Sequence, residues 1–241
     1  MPDPVTVQRG VVSPIACYQE GWELIKDEYW VIFASCAIGM LLGSIVPMGI
    51  LLGPMMCGIY LVMLRKMRGE SVAVDHLFKG FEWFGPSLVA MLLTLVVVMV
   101  LFVPVGIVAA IAAAIGNSVG GEEAAVVLAV AAGGLGMFLV MGAGTLFTFA
   151  YPLMVDRDLE AMDALKASVS GGLANLGGLI GLFFLNVALS LVGTCFFFVG
   201  SYLVMPLSFA ALAVAYKRVY GLADVPAYRR LGLDSADPIR G

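Results

Sequence analysis

The chain has 241 residues, of which 61% are hydrophobic and 12% are charged. Soluble domains are about 45–50% apolar and about 25% charged, so this composition excludes an ordinary water-soluble fold and predicts a membrane protein. The net charge of −4 and the pI of about 4.9 leave no basic surface for nucleic-acid phosphates, and no nucleic-acid partner is expected.

The charged residues are separated from the apolar ones along the chain. Four stretches contain no Asp, Glu, Lys or Arg, namely 29–64, 83–121, 124–155 and 167–216. One helix needs about 20 apolar residues to cross a bilayer. The first and last stretches are long enough for pairs of helices, and the middle two suit single long helices. The sequence therefore predicts an all-α polytopic membrane helix bundle with six transmembrane helices and three amphipathic helices on the cytoplasmic surface.

The first amphipathic helix is predicted over about 14–28, after an irregular, solvent-exposed N-terminal segment. Ser13 and Pro14 suit the N-cap and the first helical position. Four apolar residues recur at helical spacing: Ile15, Tyr18, Trp22 and Ile25. This face is expected to pack under the cytoplasmic ends of the spans.

The first two spans are predicted at about 29–46 and 50–67 and form a tight hairpin. Pro47 belongs to the outer turn, and Pro54 is a candidate kink early in the second span. Each span barely crosses a hydrocarbon core of about 30 Å. The alternative is a re-entrant pair that turns inside the bilayer, which would require protein or water around its irregular backbone.

A basic cluster ends the second span, and the same spacing of proline, basic pair and glycine ends the sixth. Pro54 and Pro206 precede the two basic pairs, and Gly69 and Gly221 follow them. The basic residues that anchor this topology are Arg65, Lys66, Arg68, Lys217 and Arg218. We interpret the recurrence as a repeated membrane-exit signal.

The second amphipathic helix is predicted over about 71–83. Its apolar face consists of Val74, Leu77, Phe78 and Phe81. His76 is the only histidine, so the chain has no second histidine for a histidine metal cluster or a Ser/His catalytic set. No catalytic residue, cofactor site or metal site is predicted.

The third and fourth spans are predicted at about 85–114 and 125–154, and Pro104 is a candidate kink in the third. Four acidic residues follow the fourth span: Asp156, Asp158, Glu160 and Asp163. They are compatible with a cation site, but their spacing favours the start of a helix whose dipole they stabilise. A third amphipathic helix is predicted over about 158–169. Its apolar residues are Leu159, Met162, Leu165 and Val169.

The fifth and sixth spans are predicted at about 173–193 and 198–217, and Pro206 is a candidate kink in the sixth. Asn186 and Ser190 lie one turn apart near the middle of the fifth span and are the candidate intramembrane polar residues. They either hydrogen-bond between helices or form a polar spot on a substrate path.

With these spans, all 13 Lys and Arg residues fall on one side of the membrane. The positive-inside rule then places both termini in the cytoplasm and predicts a multi-pass protein of a bacterial cytoplasmic (inner) membrane. Residues 1–221 are interpreted as a single membrane domain. Residues 222–241 are expected to form a polar, mobile cytoplasmic tail.

Several short motifs resemble those of a known class of proteins. They are Gly21-Trp22, Gly53-Pro54, Gly58-Ile59-Tyr60, Arg68-Gly69-Glu70, Leu77-Phe78-Lys79-Gly80-Phe81, Val155-Asp156-Arg157 and Ala164-Leu165-Lys166. With the closing segment from Pro206 to Gly221, the chain resembles a broad class of uncharacterised bacterial polytopic membrane proteins. It is similar to the membrane domain attached to some glycerophosphodiester phosphodiesterases. The resemblance implies a membrane fold and transfers no activity or site residue.

Two functions are compatible with the sequence. The first is a non-enzymatic membrane component that organises membrane lipid or partner proteins, including further copies of the chain, at the cytoplasmic membrane face. The alternative is a transporter or channel for a small molecule or a lipid-like molecule, which would use the kinked helices and Asn186. No Asp, Glu, His, Lys or Arg lies deep in a predicted span, which argues against ion-coupled transport.

Overall fold

The computed structural model describes residues 6–45, 49–194, 199–230 and 232. Its α-helices are α1 (Pro14–Ile25), α2 (Tyr29–Ile45), α3 (Leu52–Met67), α4 (Phe84–Gly144), α5 (Ala150–Arg157), α6 (Ala161–Ala174), α7 (Leu176–Thr194), α8 (Val199–Tyr220) and α9 (Ala227–Arg230). Short 3₁₀ helices occupy Lys26–Glu28, Val74–Trp83 and Thr145–Phe147. No strand occurs in these residues, so the predicted all-α fold is confirmed for them. Pro47, assigned to the first outer turn, lies outside them.

Helices long and apolar enough to cross a membrane are present in the described chain. Four such segments occur there: Pro14–Ile45, Val74–Arg157, Leu176–Thr194 and Gly200–Tyr220. The second contains 84 residues, far more than the roughly 20 that one crossing needs, whereas α3 has only 16. The length and composition of these helices suit a membrane-embedded protein.

The chain divides into two compact units. The core unit comprises Met1–Met91 and Leu146–Gly241, and the hairpin unit comprises Leu92–Thr145. In the core unit α3 is the central helix, because 12 of its 16 residues are buried. It contacts α2, the 3₁₀ helix Val74–Trp83, α5 and α8. A helix that is apolar on all sides is expected to be surrounded in this way.

The hairpin unit consists of two arms of α4 that lie against each other. Gly121, with a φ of 74°, interrupts the helix between the arms and lies between the predicted third and fourth spans. A Cβ atom on Gly116 would lie 2.6 Å from the Ala125 nitrogen, and one on Gly136 would lie 2.5 Å from a Val105 methyl group. Glycines therefore set the spacing of the two arms.

Both α3 and α8 end at a glycine in the left-handed conformation. The φ angles are 71° at Gly69 and 68° at Gly221. The Gly69 nitrogen donates to the Lys66 carbonyl at 3.0 Å, and the Gly221 nitrogen donates to the Lys217 carbonyl at 2.9 Å. Glycine adopts this conformation without Cβ strain. The recurring sequence pattern thus corresponds to a recurring helix C-terminus.

The segment predicted as the second amphipathic helix forms the 3₁₀ helix Val74–Trp83, which packs on α3. With three residues per turn, Leu77, Gly80 and Trp83 share the buried face. Phe78 and Phe81, assigned to the apolar face for α-helical spacing, are exposed. That assignment was wrong because the tighter helix rotates them away from α3.

Glycines allow this 3₁₀ helix to approach α3 closely. A Cβ atom on Gly58 of α3 would lie 2.0 Å from the Leu77 carbonyl oxygen, and one on Gly80 would lie 2.3 Å from the Pro54 carbonyl oxygen. Both distances are far shorter than a van der Waals contact. The close spacing of the two backbones therefore requires glycine at both positions.

α1 begins at Pro14 as predicted, but its buried face differs from the predicted stripe. Tyr18 and Ile25 are buried, whereas Ile15 and Trp22 are exposed. The buried face is centred on Gly21, whose position opposite Ala210 and Ala211 lets α1 and α8 come together. The close contact between small residues, rather than the bulkiest apolar side chains, sets the orientation of this helix.

α6 shows the same departure from the predicted apolar face. Leu165 is buried as expected, but Met162 is exposed. The buried residues also include Ser168 and Gly171. The Ser168 hydroxyl donates to the Leu146 carbonyl at 2.6 Å, and Gly171 lies directly against the Tyr220 side chain. Small residues again lie at the contact.

The described part of the N-terminal segment, residues 6–13, is irregular and largely exposed as predicted, but its backbone is hydrogen-bonded to the rest of the core unit. The Asn175 side chain, between α6 and α7, accepts from the Val11 nitrogen at 3.0 Å and donates to the Gln8 carbonyl at 2.8 Å. The Gln8 nitrogen donates to the Val219 carbonyl at 2.9 Å. The predicted exposure therefore holds for most of these residues, although Val12 is buried and Asn175 fixes the position of the backbone.

The three candidate kink prolines occupy different positions. Pro54 is the third residue of α3, where the missing N–H has no helical partner to lose, so no kink is required there. Pro104 and Pro206 lie inside α4 and α8. Each of these two removes one backbone hydrogen bond from its helix.

Candidate functional site

α7 and α8 enclose a cleft of about 350 Å³ in the core unit. Its lining residues are Asn186, Ser190, Ser201, Tyr202, Val204, Met205, Ser208, Phe209 and Leu212. The two helices approach closely at Gly193, where a Cβ atom would lie 2.7 Å from the Ser201 nitrogen. Further along the pair, serine side chains are too small to fill the space between the helices. The structure thus brings both predicted polar residues, Asn186 and Ser190, into one cleft.

Asn186 is held on one side by two hydroxyl groups. Its Oδ1 atom accepts from Ser208 Oγ at 2.8 Å and from the Tyr18 hydroxyl of α1 at 3.4 Å. These bonds orient the amide so that Nδ2 is its other polar end. Within the described residues Nδ2 donates no hydrogen bond. The cleft therefore contains an amide donor.

The serines beside Asn186 form the second polar part of the cleft. Ser201 Oγ donates to the Ser190 carbonyl at 3.2 Å and lies 3.1 Å from the Thr194 hydroxyl. Thr194 Oγ1 donates to the same Ser190 carbonyl at 2.8 Å. No hydrogen bond of the Ser190 hydroxyl occurs in the described part of the chain, so this group is a further donor at the cleft.

Pro206 changes the backbone next to the cleft. Because proline has no N–H, the carbonyl of Tyr202 loses the donor that a regular helix would supply. The neighbouring carbonyl, Leu203, accepts from the Tyr29 hydroxyl at 2.5 Å. A side chain from α2 thus supplies a donor near the proline, as expected for a bundle in which backbone groups have no access to water.

A second polar arrangement lies where α3, α5 and α8 end. Asp156 has 0% of its surface exposed. Its carboxylate accepts from Arg68 Nη2 at 2.7 Å, from the Tyr216 hydroxyl at 2.9 Å and from the Ala223 nitrogen at 2.9 Å. Arg68 also donates to the Ala223 carbonyl at 2.9 Å. A fully buried carboxylate is stable only with such charged and polar donors.

Glu70 is the second acidic residue of this arrangement. We call the arrangement the ionic cluster, and its charged members are Arg65, Arg68, Glu70, Asp156 and Arg229. It accepts from Arg229, and from the Tyr228 hydroxyl at 3.1 Å, and its Oε2 lies 3.5 Å from Arg65 Nε. The Arg65 guanidinium lies 5.8 Å from the centre of the Tyr228 ring. Burial, reinforced by the Glu70 charge, raises the pKa of Tyr228 above its ordinary value. Glu70 thus binds the segment that follows α8 to the end of α3.

The predicted tail begins with an ordered part. Ala223, Ala227 and Tyr228 are buried, and the ionic cluster holds this segment at both ends. The expected mobility was therefore wrong up to residue 230, because the sequence gives no local sign that Asp156 and Glu70 would be its partners. Residues 231 and 233–241 of the predicted tail lie outside the described residues.

The predicted topology anchors have different surroundings. Arg65 and Arg68 belong to the ionic cluster. Lys66 forms an ion pair with Glu28 at 3.1 Å, and Arg218 forms one with Glu20 at 2.6 Å. Lys217 is exposed. Four of the five basic residues therefore form ion pairs within the core unit.

Asp156 was missed as an organising residue. It belongs to the last turn of α5, whereas α6 begins at Ala161 after the N-cap Glu160. The interpretation of Asp156 as part of a helix start was therefore wrong, although Asp163 does lie in the first turn of α6. The available signal was an acid beside Arg157 at the end of a charge-free stretch, where ionisable groups commonly pair.

Ser208 was also absent from the predicted polar spot. Asn186 lies eight residues before the end of α7, and Ser208 lies nine residues after the start of α8. Residues at similar distances from the turn of an antiparallel helix pair lie close to each other. This approximate symmetry is the signal that could have joined the two residues.

Among the described residues, no group of three or more His, Cys, Asp or Glu side chains is arranged to hold a metal ion. His76 is buried, and its Nδ1 accepts from the Ala73 nitrogen at 3.2 Å. It thus caps the first turn of the 3₁₀ helix on α3.

No protein-family model, curated protein or solved structure matches this chain. The likeness to the membrane domain attached to some glycerophosphodiester phosphodiesterases stays a prediction from the sequence motifs. The cleft and the ionic cluster are accordingly interpreted from their own geometry.

Proposed function

We propose that the protein is a non-enzymatic integral membrane component that binds and organises lipid. The observation that carries this proposal is the polar cleft at Asn186 between α7 and α8, which are largely apolar around it. A polar group surrounded by hydrocarbon needs a partner, and a lipid-like molecule can supply both a polar head and an apolar chain. The volume of about 350 Å³ lies within the usual range of small-molecule sites.

The test compares lipids retained by purified variants. Ser190→Leu adds bulk inside the cleft and is expected to reduce the lipid that co-purifies from mild detergent by several fold. Ala188→Leu adds similar bulk on an exposed position of the same helix and is the matched control. Mass spectrometry of extracted lipid measures the difference. Equal lipid retention by the wild type and both variants would contradict binding in the cleft.

The proposal includes a topology of six spans with both termini in the cytoplasm of a bacterium. The break at Gly121 divides Val74–Arg157 into two crossings, and α3 is an internal crossing because it is buried by its neighbours. With Pro14–Ile45 and the last two apolar helices, this gives six. The positive-inside rule supports the orientation.

Cysteine accessibility tests this topology. Single substitutions Glu20→Cys, Lys79→Cys and Lys166→Cys are expected to react with a membrane-impermeant maleimide only after the cytoplasmic side is opened. The unsubstituted chain is the control for its native cysteines. Labelling of any of the three from the outer side would contradict the orientation.

Partner proteins, or further copies of the chain, form a second part of the proposal. Glu23 and Lys26 near the end of α1, and Asp163 and Lys166 of α6, are exposed charged residues that could contact them. Isolation from mild detergent with quantitative proteomics tests this part. Recovery of the tagged chain without any specific protein, and as a monomer, would contradict it.

Transport of a small or lipid-like molecule is the second candidate function. It is favoured by the position of the cleft beside Pro206 in the middle of α8, since discontinuous helices line the binding sites of many transporters. Reconstitution distinguishes the two functions. Protein-dependent movement of a labelled lipid between bilayer leaflets, abolished by Ser190→Leu and retained by Ala188→Leu, would favour transport over organisation.

A further inference from the structure

We infer that the cleft between α7 and α8 binds an amphiphile with an uncharged head group, which accepts a hydrogen bond from the Asn186 amide. This inference rests on the proposed lipid binding and adds the chemical class of the ligand. A neutral glyceride or a long-chain alcohol has this chemistry, whereas a phospholipid with a net charge does not.

No charged side chain occurs among the described residues that line the cleft. Its polar members are Asn186, Ser190, Ser201, Tyr202 and Ser208. A phosphate, carboxylate or ammonium group placed here would lose its hydration without gaining an ion-pair partner, which is strongly unfavourable away from water. The lining therefore selects against charged head groups.

The cleft offers donors to a neutral head group. Asn186 Oδ1 already accepts from Ser208 and Tyr18, so Nδ2 is the end of the amide that a ligand would meet. The Ser190 hydroxyl lies one turn away on the same helix. A carbonyl, ether or hydroxyl oxygen of the ligand can accept from these two groups, and such acceptors are found in esters and alcohols.

Tyr202, which lines the cleft, lies one turn before Pro206 in α8. Proline has no N–H to donate to the Tyr202 carbonyl, so we assign this carbonyl as the acceptor for a ligand hydroxyl. The apolar residues Met205, Phe209 and Leu212 line the same cleft and suit a hydrocarbon chain. Together these groups match a molecule whose polar end can both accept and donate hydrogen bonds and whose remainder is apolar.

The test measures binding of tritiated dioleoylglycerol to the purified full-length chain in detergent. Unlabelled dioleoylglycerol is expected to displace the label at a concentration at least about tenfold lower than anionic dioleoylphosphatidylglycerol or cationic oleylamine. The variant Asn186→Leu should bind the label about five- to tenfold more weakly, the effect of one lost hydrogen bond. Ser190→Ala, which leaves the shape of the cleft almost unchanged, should weaken binding by a smaller factor.

Ala188→Leu is the matched control. It adds bulk at an exposed position of α7 that is not among the lining residues named above, and it should change the affinity by less than about twofold. A thermal melt of each variant confirms that it is folded before its affinity is compared. If Asn186→Leu and Ala188→Leu bind equally well, the Asn186 contact is contradicted.

The outcomes separate this inference from the proposed function. Stronger displacement by the anionic or cationic lipid, with sensitivity to Ser190→Leu, would overturn the uncharged head group and leave lipid binding in the cleft intact. No saturable binding of any of the three lipids to the wild type, together with no effect of Ser190→Leu on co-purified lipid, would overturn both. Preferential binding of dioleoylglycerol that Asn186→Leu weakens supports the inference.

Discussion

The core unit and the hairpin unit use different interactions although their helices are similarly apolar. In the core unit 12 of the 16 residues of α3 are buried, and Asp156 is completely enclosed by polar partners. In the hairpin unit only Gly116 and Val140 are buried, and Val119 is 83% exposed. Hydrophobicity alone therefore does not show which apolar helices contact other helices and which present their side chains to the surroundings.

The two units differ in the contacts that hold their helices together. The core unit contains close glycine contacts and ion pairs that fix each helix relative to the next. Glycines of the hairpin unit meet alanine and valine residues of the facing arm, and the acidic residues Glu122 and Glu123 are exposed near Gly121. We expect substitutions of the same chemical kind to have large effects in the core unit and small effects in the hairpin unit.

Asp156→Ala is expected to lower the free energy of unfolding more than any other substitution considered. The variant would leave the Arg68 guanidinium and the Tyr216 hydroxyl without the carboxylate that they bind, and breaking a buried ion pair in this way costs about 3–5 kcal/mol. The free energy of unfolding of the purified protein in detergent measures the loss. Glu122→Ala, in the hairpin unit, is the matched control and should change stability by less than about 0.5 kcal/mol. Equal losses in the two variants would contradict the role of the ionic cluster.

Gly58→Ala is expected to have the next largest effect. The added Cβ atom would lie 2.0 Å from the Leu77 carbonyl oxygen, so α3 and the 3₁₀ helix must move apart. Overpacking of this kind costs about 1–3 kcal/mol. Gly134→Ala places the same atom in open space in the hairpin unit and should be neutral or stabilising by up to about 1 kcal/mol. The thermal midpoints of both variants and of the wild type measure these effects. A midpoint of Gly58→Ala equal to that of the wild type would contradict the close contact with Leu77.

Much of the helical layout follows from the sequence because it depends on local signals. The pair Ser13-Pro14 predicted the start of α1 correctly. A glycine after a basic pair marks the ends of α3 and α8 in both the sequence and the structure. Asn186 and Ser190 were found because polar residues are rare in an apolar span. These features depend on residues that are close together in the chain, and their physical causes act over one or two helical turns.

The faces of the short helices could not be obtained in the same way. The stripe in α1 was chosen for bulky residues, whereas the actual contact with α8 depends on Gly21 meeting Ala210. The ionic cluster joins Arg68, Asp156 and Ala223, which are far apart in the chain. A hydropathy pattern records how apolar a position is and contains no information about which distant residue will satisfy a buried charge.

Tyr228→Phe, in the segment after α8 that the ionic cluster binds, is expected to have the smallest effect on the free energy of unfolding. Tyr228→Phe removes the hydroxyl that donates to Glu70 but keeps the ring beside Arg65, so we expect a loss of about 1 kcal/mol at neutral pH. Because the pKa of Tyr228 is raised in the folded protein, its contribution to stability is complete below about pH 10 and is lost as the pH rises through the folded pKa. The advantage of the wild type over the variant should therefore shrink above about pH 10. Unfolding free energies of the two proteins between neutral and strongly alkaline pH measure this difference, and the other tyrosines cancel in the comparison. A difference that stayed constant with pH would show that the Tyr228 hydroxyl is not held in its neutral form by burial beside Glu70, and the segment would then be held mainly by the bonds of Asp156 and Arg68 to Ala223.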